Sequence, residues 1–157
     1  MAQSDVSIRS LLLPLEDTHI LLPGTVVAEV VGYTTPHSVG ATAQPDWLLG
    51  LVAWRSQRVP CVAFEVLNGQ SASDVGTRAR IVVLKAVTGQ AGMPYIALRT
   101  RSIPRLVNVD RDGLEPLDGD DAGGPGVSHS VLVDGETAVI PDLHYIEGQT
   151  HRALFGG

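Results

Sequence analysis

A single cysteine, Cys61, excludes an internal disulfide framework and leaves too few thiolates for a zinc site. Aromatic residues are scarce at 4%, so Val, Leu, Ile and Ala must fill the core. Basic charge is also in short supply. The formal net charge is −6, which disfavours nonspecific nucleic-acid binding because such binding relies on a basic surface. Long apolar runs are missing too. The longest, Trp47 to Trp54, falls far below a membrane span. The run Leu11 to Leu13, cut by Pro14, is too short for a signal peptide. A cytoplasmic protein with no direct membrane insertion is therefore expected. Neither G-x-x-x-x-G-K-[ST] nor G-x-G-x-x-G occurs, so no phosphate loop can be argued and no cofactor is implied.

What is present fits one β-rich domain. The chain has 157 residues, 44% of them hydrophobic, which argues against disorder. Seventeen glycines and ten prolines, spread along the chain, predict many turns and short strands. Strands are expected at Arg9–Leu15, from His19 to Leu22, and at Val26–Val31, where Glu29 is the one charge and faces outward. A loop spans Thr34 to Asp46, and Trp47 to Gly50 reads as a short turn. Leu51–Arg55 and Val59–Leu67 form a strand pair hinged at Ser56-Gln57, without the glycine such turns favour. Asn68 to Thr77 is loop by composition.

The second half opens with Ile81–Leu84, whose continuous apolar character predicts a strand buried on both faces. Further strands are expected at Pro94–Leu98 and Leu106–Val109. Asp118–Gly126 reads as a loop. Val131–Val133 and Thr137–Ile140 flank Asp134-Gly135, a strong hairpin signal. A short helix is expected at Asp142–Ile146, with residues 151–157 as a tail. The count predicts a sandwich or barrel over residues 5–150, with two β-subdomains dividing near 70–80.

Charge is unevenly placed. Arg78 to Arg111 holds seven bases and one acid, and Asp112 to Asp121 holds five acids and no base. Two solvated faces explain that pattern. Catalytic constellations are weak. His144, Glu147 and His151 lie near Asp142, but the histidines are seven apart rather than four, so no metal site is expected. Cys61 sits in an apolar strand rather than the electropositive setting a nucleophile needs. Ser128 and His129 are strand neighbours, expected on opposite faces and out of contact. Trp47 and Trp54 have apolar neighbours and read as core or interface positions. No enzyme activity is expected.

Two stretches resemble the signature of the CheW-like adaptor family. His19 to Tyr33, HILLPGTVVAEVVGY, resembles an apolar strand ending in Ile-Pro, a turn, then V-x-E-[VI]. Pro45 to Asn68, PDWLLGLVAWRSQRVPCVAFEVLN, places Trp47, Gly50, Arg55, Val59 and Pro60 where that family has its own tryptophan, glycine, arginine and Val-Pro pair. The resemblance implies a mainly β fold of two packed five-stranded, SH3-like barrels around an apolar seam, with a short C-terminal helix. It implies a scaffold that bridges methyl-accepting chemoreceptor cytoplasmic tips to a CheA-type histidine kinase. The short chain and divergent second half look like an accessory, ChpC-like member serving type IV pilus twitching. The alternatives are a β-barrel adaptor for an unrelated assembly and a small ligand-binding barrel.

By that resemblance Val27, Glu29, Gly50 and Arg55 lie in or beside the receptor-binding groove. Each also has a purely internal reading. Val27 would be core, Gly50 a backbone position needing positive φ or close packing, and Arg55 an internal partner of Glu29. The chain departs from the family at Arg55-Ser56, where Arg-Gly is usual, and at Phe64-Glu65, near a usual Asp. It departs again at Arg99 and Arg101, where an acid is expected. Arg99, Arg101 and Arg105 thus mark a candidate kinase-side surface of reversed charge, which would select a different partner.

Overall fold

The computed structural model describes residues 7–39, 44–71, 75–90, 92–110, 113–117 and 124–156. Parts of the expected loops at 34–46, 68–77 and 118–126, and four of the five acids in the stretch 112–121, lie outside the described residues.

The chain opens with a hairpin of β1 (Ile8–Pro14) and β2 (His19–Pro23). A single 3-10 turn at Gly24–Val26 leads into β3 (Val27–Gly32). Then come β4 (Leu48–Trp54), β5 (Gln57–Val62), a one-turn helix α1 (Phe64–Leu67), β6 (Arg80–Lys85) and β7 (Tyr95–Thr100). The chain closes with β8 (Arg105–Val109), β9 (Leu114–Pro116), β10 (Val127–Val133), β11 (Glu136–Pro141) and α2 (Leu143–Phe155).

Two sheets result. One has six strands in the order β8-β1-β2-β11-β10-β9, and the other has five in the order β3-β6-β7-β5-β4. The first therefore exceeds the expected five by the three-residue β9. The chain does not divide near 70–80. It enters the second sheet at Val27 and returns to the first at Arg105, so the second sheet is inserted into the first. The physical reason is pairing. β1 takes β8 as its outer neighbour, and β2 takes β11, across most of the chain length.

Side-chain alternation explains the continuous apolar runs. Leu13, Ile20 and Leu22 face the second sheet, meeting Val82, Leu84, Ile96 and Leu98 in a shared seam. Leu12 and Leu21, one residue out of phase, pack inside the first sheet with Val109, Val131 and Val133. Ile81, Val83 and Ala97 likewise pack inside the second with Val52, Trp54, Val59 and Cys61. Both faces of these strands are buried, so Leu-Leu-Leu and Ile-Val-Val-Leu replace the alternation of a half-buried strand.

Three local expectations change. Trp47–Gly50 is not a turn, because β4 already begins at Leu48. The strand from Val59 stops at Val62, and Phe64–Leu67 is α1, which tips Phe64 and Leu67 into the seam. The C-terminal helix continues through 151–155 rather than ending at Ile146. Asp142 caps it, its side chain accepting from the Tyr145 amide at 3.1 Å. Ile146 anchors it in the seam, and buried Glu147 accepts from the Val87 amide (2.8 Å) and the Thr88 amide (2.9 Å). The predicted Asp134-Gly135 hairpin is present, with φ of 49° and 85°.

Candidate functional site

The β4–β5 hairpin turns at Arg55-Ser56, one residue earlier than expected. Both residues are left-handed, with φ of 48° and 64°. A two-residue turn of that kind matches strand twist but suits glycine better than serine. It lifts Arg55 clear of the sheet and toward β3.

There Arg55 meets Glu29. Its guanidinium lies 3.2 Å from Glu29 Oε1, and Trp54 Nε1 donates to the same oxygen at 2.9 Å. The guanidinium also sits 4.7 Å from the Trp54 ring centre, a cation–π contact. Tyr95 packs edge-on against that ring from behind. Arg55 and Glu29 stay well exposed, with side chains 65% and 42% accessible. The internal pairing and an outward charge thus coexist.

This bridge spans an open groove. β3 and β4 are the two outer strands of the five-stranded sheet, and they face each other across a cavity of about 600 Å³. Val31, Val52, Ile81 and Val83 supply apolar walls, Tyr33 and Thr34 one end, and Glu29 with Arg55 the charged rim. Apolar floor with a sparse charged rim is the pattern of a protein docking site.

Gly50 and Val27 are not among the residues that line this groove. Gly50 has φ +137°, and an added Cβ would stand 2.2 Å from the His37 carbonyl oxygen. The close approach lets His37 exchange two backbone hydrogen bonds with Leu51, at 2.9 and 2.8 Å, along the edge of β4. Val27 is half-buried against the seam, beside a bulge that separates it from Glu29. Trp54 is the participant that sequence reasoning left as core or interface. An indole beside a hairpin reversal, with a donor to satisfy, was the available signal.

The three arginines do not form one surface. Arg99 is largely buried and lies 3.9 Å from the fully buried Glu65. Arg101 is mostly covered and pairs with Glu16 at 3.2 Å. Arg105 alone of the three is well exposed, paired with Glu136 across the six-stranded sheet. That pairing holds the Glu136 carboxyl below the usual glutamate range. The reversed charges at 99 and 101 are thus matched by acids of the same chain.

Cys61 is fully buried, and burial pushes its thiol up to about 12, with Arg99 pulling weakly the other way. It stays a thiol at neutral pH. Ser128 and His129 do touch, contrary to expectation, with Oγ and Nδ1 2.8 Å apart. A bulge between Val127 and His129 breaks the alternation there. Of the C-terminal acid and histidines, Glu147 is committed to backbone amides, and His151 stacks on Phe155. Among the described residues no group of three or more His, Cys, Asp or Glu is placed to hold a metal. No helix among them is long and apolar enough to cross a membrane.

Two sheets joined by an apolar seam, with a grooved outer edge, make a β-rich module. The model of the CheW-like domain family matches residues 9–148, so the chain belongs to that family, whose members are non-catalytic scaffolds of chemotaxis signalling. Its fold is similar to the crystal structure of the scaffolding protein TtCheW from Thermoanaerobacter tengcongensis. The TM-score is 0.75 at 18% identity, over 90% of this chain and 92% of that one. No curated protein sequence matches this chain.

Proposed function

We propose that this chain couples chemoreceptors to a CheA-type histidine kinase in the cytoplasm, and that the output is type IV pilus motility. The observation that carries the reading is the Glu29–Arg55 rim over an apolar groove, in a chain of the CheW-like family. A receptor's cytoplasmic tip is a helical hairpin. Its apolar side chains would enter the groove and supply most of the affinity, while Glu29 and Arg55 orient it. Val27 and Gly50 serve the same site indirectly, by fixing the β3 bulge and the β4 edge. Arg105 is the candidate contact for the kinase, because its guanidinium is the accessible one of the three. Each contact is weak alone and gains strength from repetition in an array.

The test uses the purified full chain with a soluble receptor cytoplasmic fragment and with a CheA-type kinase, titrated separately and then together. Binding to both, and a ternary complex in the mixture, is the expected result. Binding to neither by a folded chain would overturn the reading. Binding to the kinase alone would move the proposed receptor role out of the groove. Deleting the gene should reduce twitching; loss of swimming instead would assign a flagellar output.

A further inference from the structure

Glu65 is the least comfortable side chain in the described structure. It rides on α1 with a side chain that is 0% accessible. Neither carboxylate oxygen completes a hydrogen bond, and neither does Nε of Arg99. The nearest guanidinium nitrogen of Arg99 stands 3.9 Å away, too far for one. Burial pushes the carboxyl above the ordinary glutamate value; its own backbone amide, close by but outside hydrogen-bond geometry, and Arg99 and Arg101 pull it down less strongly. The charged and polar groups facing the site come from each neighbouring element. They are Arg99 on β7, Arg101 just beyond it, Glu16 in the β1–β2 turn, and Cys61 on β5 beside Arg99.

The position of α1 makes this consequential. Phe64 and Leu67 enter the seam between the sheets and, with Ile146 of α2, close around Gly126. At its end Asn68 donates through Nδ2 to the Pro125 carbonyl, at 2.8 Å, on the approach to β10. The helix thus ties the five-stranded sheet to the six-stranded one.

We propose that Glu65 is a proton-operated adjuster of the joint between the two sheets. With the carboxyl neutral, α1 keeps the placement described above. With the carboxylate charged, the side chain and its short helix are drawn toward Arg99 by about 1 Å, enough to complete a charge-assisted hydrogen bond. Phe64, Leu67 and the Asn68–Pro125 tie move with it. The pH response of α1 is thereby passed to the contacts between the two sheets.

The experiment follows the Glu65 carboxyl carbon by NMR in the full chain, from about pH 3 to about pH 9. It follows the Asn68 side-chain amide and the Gly126 backbone amide in parallel. A Glu65 midpoint above 4.5, shared by both reporters, is expected. A midpoint at or below that value, or reporters that do not follow it, would overturn the proposal. In Glu65→Gln the shared transition should vanish from the reporters, and its persistence would also overturn the proposal. The wild-type titration stands alone should that variant fail to fold.

Discussion

Two glutamate–arginine pairs sit in the five-stranded half of the molecule, and they are opposites. Glu29 and Arg55 meet at 3.2 Å on an exposed rim, where Trp54 donates to Glu29 and its ring lies under Arg55, and much of each side chain stays in water. Glu65 and Arg99 stand 3.9 Å apart, with side chains only 0% and 11% accessible. The first pair forms easily and contributes little to stability, since exposed pairs are worth about 0–1 kcal/mol. On the proposed function, its value lies in presenting charge to a partner. The second has lost hydration without a full hydrogen bond in return, so its members depend on each other. Charge at the rim stays accessible to solvent, whereas the buried charge beside α1 is bound to the fold.

That contrast breaks most visibly at Arg99. Arg99→Met should cost about 3–5 kcal/mol at neutral pH, because it strands a buried carboxylate. Urea denaturation would measure it. The loss should shrink in acid, where the neutral carboxyl no longer needs the cation. Because the Glu65 pKa is raised in the folded state, its neutral form favours folding. That contribution is fully present below the ordinary value of 4.5 and is lost as pH rises through the folded-state value. A loss that is equal at both pH values would remove the distinction between the pairs.

Gly50→Ala comes next. With φ +137° and a backbone oxygen 2.2 Å from the new Cβ, it should cost about 3 kcal/mol by thermal unfolding. The loss should be accompanied by faster exchange of the Leu51 amide, now released from His37. Smallest is Ser56→Gly, which should stabilise the domain by about 0.5–1 kcal/mol by relieving a left-handed serine. It leaves both charges of the rim in place, so it separates backbone strain from electrostatics at the same turn.

Much of this was legible in the sequence, for physical reasons that differ by element. Ile81–Leu84 announced a strand buried twice over, and Asp134-Gly135 announced its hairpin, because local patterning decides both. Gly50's need for positive φ and a close neighbour was foreseeable from glycine's lack of a Cβ. The insertion of one sheet into the other was not, since no local signal reports that β1 pairs with β8 across almost a hundred residues. Phe64–Leu67 read as strand because four apolar-rich residues carry no periodicity to separate the two states. The Glu65–Arg99 pair was hidden for a similar reason. Each residue looked like a departure from the family when read alone, and only the fold joins them.

The most direct test of the proposed docking site is to titrate a receptor cytoplasmic fragment into the wild-type chain and into Arg55→Glu, with unfolding of both followed by circular dichroism. Arg55→Glu should lose at least about tenfold in affinity, or about 1.4 kcal/mol, while folding stability changes by no more than about 1 kcal/mol. Equal affinity in the two proteins, or a variant that loses binding only because it unfolds, would contradict a contact role for the Glu29–Arg55 rim.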